Sequence, residues 1–143
     1  MHVLLELERT ILAPYELAPN RLSRDMYDSL PLPWTIAQPV AAFPRDRFVR
    51  REWDRDGVLS NGSTFFRGVQ PTPVDAFLQV LGTASMVTRW REAHPHLVGT
   101  EDDVVTAFGG RLREALGPGV TSLDLGAGTV ILMFKKGEEK KKE

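Results

Sequence analysis

The chain contains no cysteine, which excludes disulfides, thiolate catalysis and cysteine-ligated metal sites together. Its formal net charge is −1, so neither sign is in the excess that would attract nucleic acid or an anionic membrane surface. No run approaches the roughly 18 consecutive apolar residues of a membrane-spanning helix, and the acidic segment MHVLLELERT is not typical of a secretory signal. We expect a cytoplasmic protein, in keeping with the lack of cysteine, that binds neither nucleic acid nor membrane.

The length and the hydrophobic content of the chain are typical of one folded domain. The chain has 143 residues, of which 42% are hydrophobic, enough to bury a core of ordinary size. Residues 1–136 are expected to form a single domain. Residues 137–143 belong to the charged stretch KKGEEKKKE and are expected to be a disordered tail.

Helical periodicity predicts three or four helices. Apolar residues recur every three or four positions before Pro14, from Phe77 to Leu81, from Met86 to Trp90 and from Val104 to Leu116. Gly109 and Gly110 interrupt the last pattern, so that helix must depend on packing for its stability. Six prolines between Pro14 and Pro44 predict an irregular, extended segment with short helical turns.

The segment LDLGAGT, Leu123–Thr129, is similar to the glycine loop with which class I methyltransferases hold S-adenosylmethionine. Such a loop requires a helix directly after the glycines and an acidic residue on the next strand. Here the glycines precede Val130–Phe134, a continuous and partly β-branched apolar run that is typical of a buried strand. We therefore predict an antiparallel hairpin of Ser122–Leu125 and Val130–Phe134, with Gly126 and Gly128 at positive φ in its turn.

These elements predict an α+β fold, in which three or four helices pack on a small antiparallel sheet that ends in a C-terminal β-hairpin. The order of the segments resembles the C-terminal part of fungal S-adenosylmethionine-dependent methyltransferases of the trans-aconitate methyltransferase kind. The resemblance covers most of the chain and is carried by LAPYELAPNRLSRDMYDSLPLPW (Leu12–Trp34), FVRREWDRDG (Phe48–Gly57), LGTASMVTRWREAHP (Leu81–Pro95) and the closing TVILMFKK.

The resemblance implies that these segments supply a partial class I methyltransferase fold: the helix after the fifth strand, the lid over the substrate, and the last two strands, which form an antiparallel hairpin at the edge of the sheet. The first five strands, the cofactor loop and its acidic ribose partner have no counterpart here. No cofactor-binding residue can therefore be assigned, and the chain alone is not expected to bind S-adenosylmethionine. The implied function is the substrate-binding C-terminal part of a small-molecule methyltransferase-like protein.

Candidate substrate-binding residues are Tyr27, Trp34, Thr83, Ser85 and Arg89. Arginine can bind a substrate carboxylate through two parallel hydrogen bonds, and Arg89 lies on the segment that resembles the lid. Each residue also has an ordinary structural interpretation: core packing for the aromatic side chains, helix capping for the hydroxyls and solvation for the guanidinium. No catalytic residue is identified. The His94-Pro95-His96 sequence indicates a turn rather than a metal site.

Two other functions stay open. The chain could be a stand-alone, cofactor-independent isomerase, cyclase or lyase of fungal metabolism that reuses the lid pocket. It could also be a non-catalytic partner that pairs with a full-length methyltransferase. In the favoured function the strand Val130–Phe134 lacks a neighbour, so self-association or pairing with a methyltransferase chain is expected.

Overall fold

The computed structural model describes residues 2–137. The chain divides into two compact units, each built from two separate segments. Unit 1 runs to Asn20 and resumes at Gln70–Leu125, and unit 2 holds Arg21–Val69 and the residues from Gly126 onward. The predicted disordered tail lies outside the described residues apart from Gly137, whose N–H donates to the carbonyl of Ala42 at 2.7 Å.

Five α-helices occur in the described residues, one more than the upper expectation of four. They are α1 (His2–Glu6), α2 (Ala18–Arg24), α3 (Val74–Gly82), α4 (Ser85–Ala93) and α5 (Val104–Leu116). A π-helical turn over Leu7–Ile11 extends α1. Helix α2 forms inside the proline-rich segment because Pro19 lies at its second position, where a missing N–H breaks no intrahelical bond. No helix among residues 2–137 is both long and apolar enough to cross a membrane.

The core of unit 1 lies where α1, α4 and α5 bring their apolar residues together. Its buried members are Leu7, Leu12, Val87, Trp90, Val104 and Phe108. Burying one such side chain contributes about 1.5–3 kcal/mol relative to exposure. Asp103, also buried, begins α5 by accepting a hydrogen bond from the N–H of Val105 at 3.0 Å.

Each unit contains one two-stranded antiparallel sheet. In unit 1, β2 (Gln70–Pro73) pairs with β3 (Ser122–Leu125). In unit 2, β1 (Phe48–Trp53) pairs with β4 (Thr129–Phe134), with Val49 opposite Met133 and Trp53 opposite Thr129. The α+β class, the antiparallel pairing and the two C-terminal strands separated by glycines are as predicted, but the strands form two separate sheets where one small sheet was expected.

The pairing predicted for the two C-terminal strands is wrong. β3 and β4 follow each other closely in sequence, but each pairs with a strand far upstream instead of with the other. A tight hairpin needs residues at positive φ in its turn, and neither Gly126 nor Gly128 has a positive φ. The glycine segment therefore carries the chain from one sheet to the other.

The two neighbouring glycines of α5 provide a stability test with a built-in control. A Cβ added at Gly110 would meet no atom within 4 Å, whereas one at Gly109 would lie 2.8 Å from a δ-methyl of Leu78. Gly110→Ala is expected to raise the free energy of unfolding by about 1 kcal/mol, the ordinary helix-propensity gain. Gly109→Ala should raise the free energy of unfolding by clearly less, because its new methyl group would force the Leu78 side chain to shift. Urea denaturation measures both, and equal gains would contradict the packing described here.

Candidate functional site

The glycine segment Gly126–Gly128 is filled by the protein's own side chains and backbone. An ideal Cβ built on Gly126 would lie 2.2 Å from the ring of Phe65, and one on Gly128 would lie 3.0 Å from the carbonyl oxygen of Asp54. Glycine is thus required here for close approach and not for positive φ, which corrects the role predicted from the sequence. The segment is followed by strand β4 and not by a helix, as predicted.

Asp54 organises the chain that follows β1. Its side chain is 1% exposed, and its own backbone is left-handed, with φ 58°. The carboxylate accepts hydrogen bonds from the N–H of Ser60 at 2.8 Å and the N–H of Phe66 at 2.5 Å, while the hydroxyl of Ser60 accepts from the N–H of Asp54 at 2.7 Å. The amides of Phe66 and Ser60 hold the pKa of Asp54 below its usual value because they stabilise the charged form.

Residues 56–68 form a segment that we call the strap. Its Phe66 ring stacks on the indole of Trp53, with ring centroids 4.0 Å apart and planes inclined by 9°. The neighbouring Phe65 covers Gly126. The strap thus lies over the end of β1 and over the residues that lead into β4. The sequence DRDG is typical of a polar turn, and no signal in it indicates that Asp54 is buried.

An ion cluster in unit 2 joins Asp28, Arg50, Glu52 and Arg55. The guanidinium of Arg55 donates to both carboxylate oxygens of Asp28 and to both of Glu52, at 2.7–3.0 Å. Arg50 donates to the same two carboxylates and to the carbonyl of Met26 at 2.8 Å. The cluster therefore ties the left-handed pair Met26–Tyr27 to β1 and its end.

The cluster changes the acidity of its carboxyl groups. Hydrogen bonds from Arg55, which have the larger effect, and from Arg50 lower the pKa of Glu52 to about 2. Arg55 likewise lowers the pKa of Asp28, and the two carboxylates raise the pKa of Arg55. Arginine commonly binds a substrate carboxylate, but the guanidinium of Arg50 already binds carboxylates of the chain itself.

Two of the predicted substrate-binding residues, Tyr27 and Trp34, lie in unit 2. Tyr27 is 39% exposed and has a positive φ of 61°. The Trp34 indole packs edge-on against Phe48, with ring centroids 5.1 Å apart, and against Phe134 at 6.2 Å. Phe134 also lines a shallow apolar cleft of about 250 Å³ together with Pro33 and Phe43.

The other three predicted residues, Thr83, Ser85 and Arg89, lie in unit 1. The Thr83 hydroxyl donates to the carbonyl of Val80 at 2.7 Å, and the Ser85 hydroxyl accepts from the Asn20 side chain at 3.1 Å. Arg89 donates to the carbonyl of Tyr15 at 2.6 Å and to the Asn20 side-chain oxygen at 2.8 Å. The bonds of Ser85 and Arg89 hold residues 15–20 against α4, and the bond of Thr83 lies at the end of α3. A substrate role for the three stays a prediction.

A second buried carboxylate lies in unit 1. Asp103, 1% exposed, receives two hydrogen bonds from Arg91, at 2.8 and 2.9 Å. Arg91 lowers the pKa of Asp103, whose charged form it stabilises. This bidentate pair fixes the start of α5 against α4. No signal in the sequence indicates that Arg91 and Asp103 form a pair.

A groove of about 500 Å³ runs between α3 and α5, lined by Asp75, Leu78, Gln79, Val105, Thr106 and Arg113. Asp75 and Arg113 form an ion pair at 2.5 Å across it. Both side chains are largely exposed, so the pair contributes little to stability. Among residues 2–137 no three histidine, aspartate or glutamate side chains are grouped so that they could hold a metal ion.

Comparison with known proteins identifies no relative of this chain: no family model matches it, and neither does any curated protein or solved structure.

The packing of Phe65 on Gly126 can be tested with a double-mutant cycle. Gly126→Ala is expected to destabilise unit 2 because the new methyl group must displace the Phe65 ring. In a Phe65→Ala background the same change should cost much less, giving a coupling energy on the order of 1–3 kcal/mol. Thermal unfolding of the four proteins measures the coupling. Purely additive effects would mean that the ring does not lie on the glycine.

The ion cluster predicts a dependence of stability on pH. Glu52 has a folded-state pKa lowered from 4.5 to about 2, so its contribution is present above the unfolded value and is lost as the pH falls towards 2. The melting temperature should therefore fall over this range more steeply for the native protein than for Glu52→Gln. The side chain is 37% exposed, so solvent screens the pair and the difference should be small.

Glu92→Gln, an exposed position on α4, is the control for the loss of one negative charge. It should retain the native slope of melting temperature against pH. If Glu52→Gln also retained that slope, the cluster would not contribute to folding.

Proposed function

We propose that the chain is the substrate-binding C-terminal part of a small-molecule, S-adenosylmethionine-dependent methyltransferase-like protein, which a nucleotide-binding half joins along β4. The proposal is supported by the segments that resemble this family. Two of them, FVRREW and TVILMF, are far apart in the chain and yet pair antiparallel as β1 and β4. The resemblance implies instead that the last two strands, Ser122–Leu125 and Val130–Phe134, pair with each other as a hairpin. The β1–β4 pairing departs from this, so the proposal rests on the matching segments and on the outer edge of β4.

The observation that carries the proposal is the outer edge of β4. Lys135 donates its N–H to the carbonyl of Arg47 at 3.4 Å, which continues the register of β1 and β4 by one pair. Because antiparallel strands alternate between hydrogen-bonded and non-hydrogen-bonded pairs, Val130, Leu132 and Phe134 direct their backbone groups away from β1. Within residues 2–137 β4 pairs with β1 alone, so this edge is available to another strand.

The side chains of the sheet support the same interpretation. Val49, Ile131 and Met133 lie on one face by alternation and are 40%, 40% and 47% exposed. On the other face Phe48 and Phe134 pack together, with ring centroids 5.0 Å apart. β4 is apolar on both faces, which is typical of strands in sheets covered on both sides, although β1 places Arg51 opposite Ile131. The unit therefore presents an apolar edge and face of the kind that proteins cover.

In this proposal the substrate contacts of unit 2 come from two of the predicted residues, Tyr27 and Trp34. Trp34 has the most support, because it packs on Phe134, which lines the apolar cleft. Arg89 and Thr83 are bonded to backbone carbonyls and would position their segment rather than bind the substrate through those atoms. No described residue is assigned to the cofactor, which the joining half would hold.

The exposed strand predicts concentration-dependent self-association of the isolated chain, measurable by sedimentation velocity. Ile131→Lys should shift the distribution to monomer, because a lysine on an exposed strand is an ordinary protection against pairing. Val80→Lys is the matched control: Val80 is 70% exposed but lies on α3 in unit 1, so its replacement should leave the association unchanged.

Two outcomes would contradict the proposal. A monodisperse monomer at high concentration would mean that the edge of β4 needs no partner. Isothermal titration calorimetry that detected micromolar binding of S-adenosylmethionine to the isolated chain would mean that a second half is not required for the cofactor.

A further inference from the structure

Hydrogen bonds within the strap hold it in a defined conformation. Its Asn61 side chain accepts hydrogen bonds from the N–H groups of Ser63 and Thr64, both at 2.9 Å, and the N–H of Gly68 donates to the carbonyl of Phe65 at 2.8 Å. Left-handed glycines lie near its two ends, with φ 78° at Gly57 and 74° at Gly68. Such residues absorb backbone rotation at little steric cost, so both ends can act as hinges.

The strap buries little surface. No residue from 56 to 68 is buried, and Phe66 is 50% exposed although it stacks on Trp53. Its attachment to β1 depends on Asp54, whose carboxylate holds the amides of Ser60 and Phe66 at its two oxygens. Segments with few buried apolar contacts open at a lower free energy than the global unfolding of the fold.

We infer that the strap opens as a local unit about Gly57 and Gly68 while β1 and β4 stay paired, and that Asp54 is the latch that keeps it closed. This inference goes beyond the proposed function and does not depend on it. Asp54 is suited to the role because it is anchored on the β1 side of the hinge and carries a charge. Hydrogen bonds to a charged acceptor are stronger than neutral ones.

Opening would uncover a defined surface. In the closed strap Phe66 covers one face of the Trp53 indole, and Phe65 covers the backbone of Gly126. The indole face is flat and apolar, and Gly126 has no side chain to keep a ring away from its backbone, so each of them accepts an aromatic ring. A planar apolar ligand that used either surface would have to displace a phenyl ring of the strap, so closure of the strap and access to this surface exclude each other.

Hydrogen exchange of the full chain, followed by NMR at the amides of Ser60 and Phe66, tests the latch. In the native protein these two amides should exchange faster than amides bonded between β1 and β4. Asp54→Asn should accelerate their exchange by about tenfold or more, since bonds to a charged group are lost. Asp56→Asn is the matched control, because Asp56 lies in the same turn, is exposed and also has a left-handed φ of 52°.

Phe66→Ala provides a second variant that leaves the Asp54 carboxylate in place. It removes the stack on Trp53 and should accelerate exchange at the Ser60 amide by several-fold, while amides of α4 stay at their native rates. Exchange at Ser60 and Phe66 as slow as that of the β1–β4 amides would overturn the inference, since the strap would then open only with the whole unit. So would equal rates in Asp54→Asn and Asp56→Asn.

Discussion

The pairing of β1 with β4 is the interaction on which unit 2 depends. It joins segments that are far apart in the chain, Phe48–Trp53 and Thr129–Phe134. The aromatic group of Trp34, Phe48 and Phe134 forms on one face of this pair. At its far end, Trp53 and Thr129 lie opposite each other, next to the strap and the glycine segment. An isolated two-stranded sheet is marginal in water, so these additional contacts are needed to hold it.

Buried charge in both units is fully compensated. Asp54 is bound by two backbone amides and Asp103 by a bidentate arginine and a helix N-terminus. Among residues 2–137 no buried side-chain nitrogen or oxygen is left without a partner. An uncompensated buried charge would cost several kcal/mol, which explains why these two carboxylates determine the local chain path. They act as structural groups, and neither is open to a substrate.

The sequence predicted local elements well and long-range pairing poorly. The apolar runs located α3, α4, α5 and both C-terminal strands, because hydrophobic periodicity is a local signal. The partner of β4 could not be found in this way, since β1 is far upstream and the glycines between β3 and β4 suggested a turn. Gly126 must be a glycine because the ring of Phe65 lies on it. Asp54 can be buried because its carboxylate binds backbone amides up to twelve residues later in the chain. Such contacts exist only once the chain has folded.

The hydrogen bonds that the arginines already make limit the classes of ligand that the chain could bind. Arginine is a natural ligand for a carboxylate, and four arginines, Arg50, Arg55, Arg89 and Arg91, each donate to groups of the chain itself. A substrate carboxylate would have to compete with bonds that stabilise the fold. Ligand binding in unit 2 would therefore depend on the apolar aromatic surfaces around Trp34 and Trp53. Under the proposed function, these surfaces favour a small apolar or aromatic substrate over a polyanionic one.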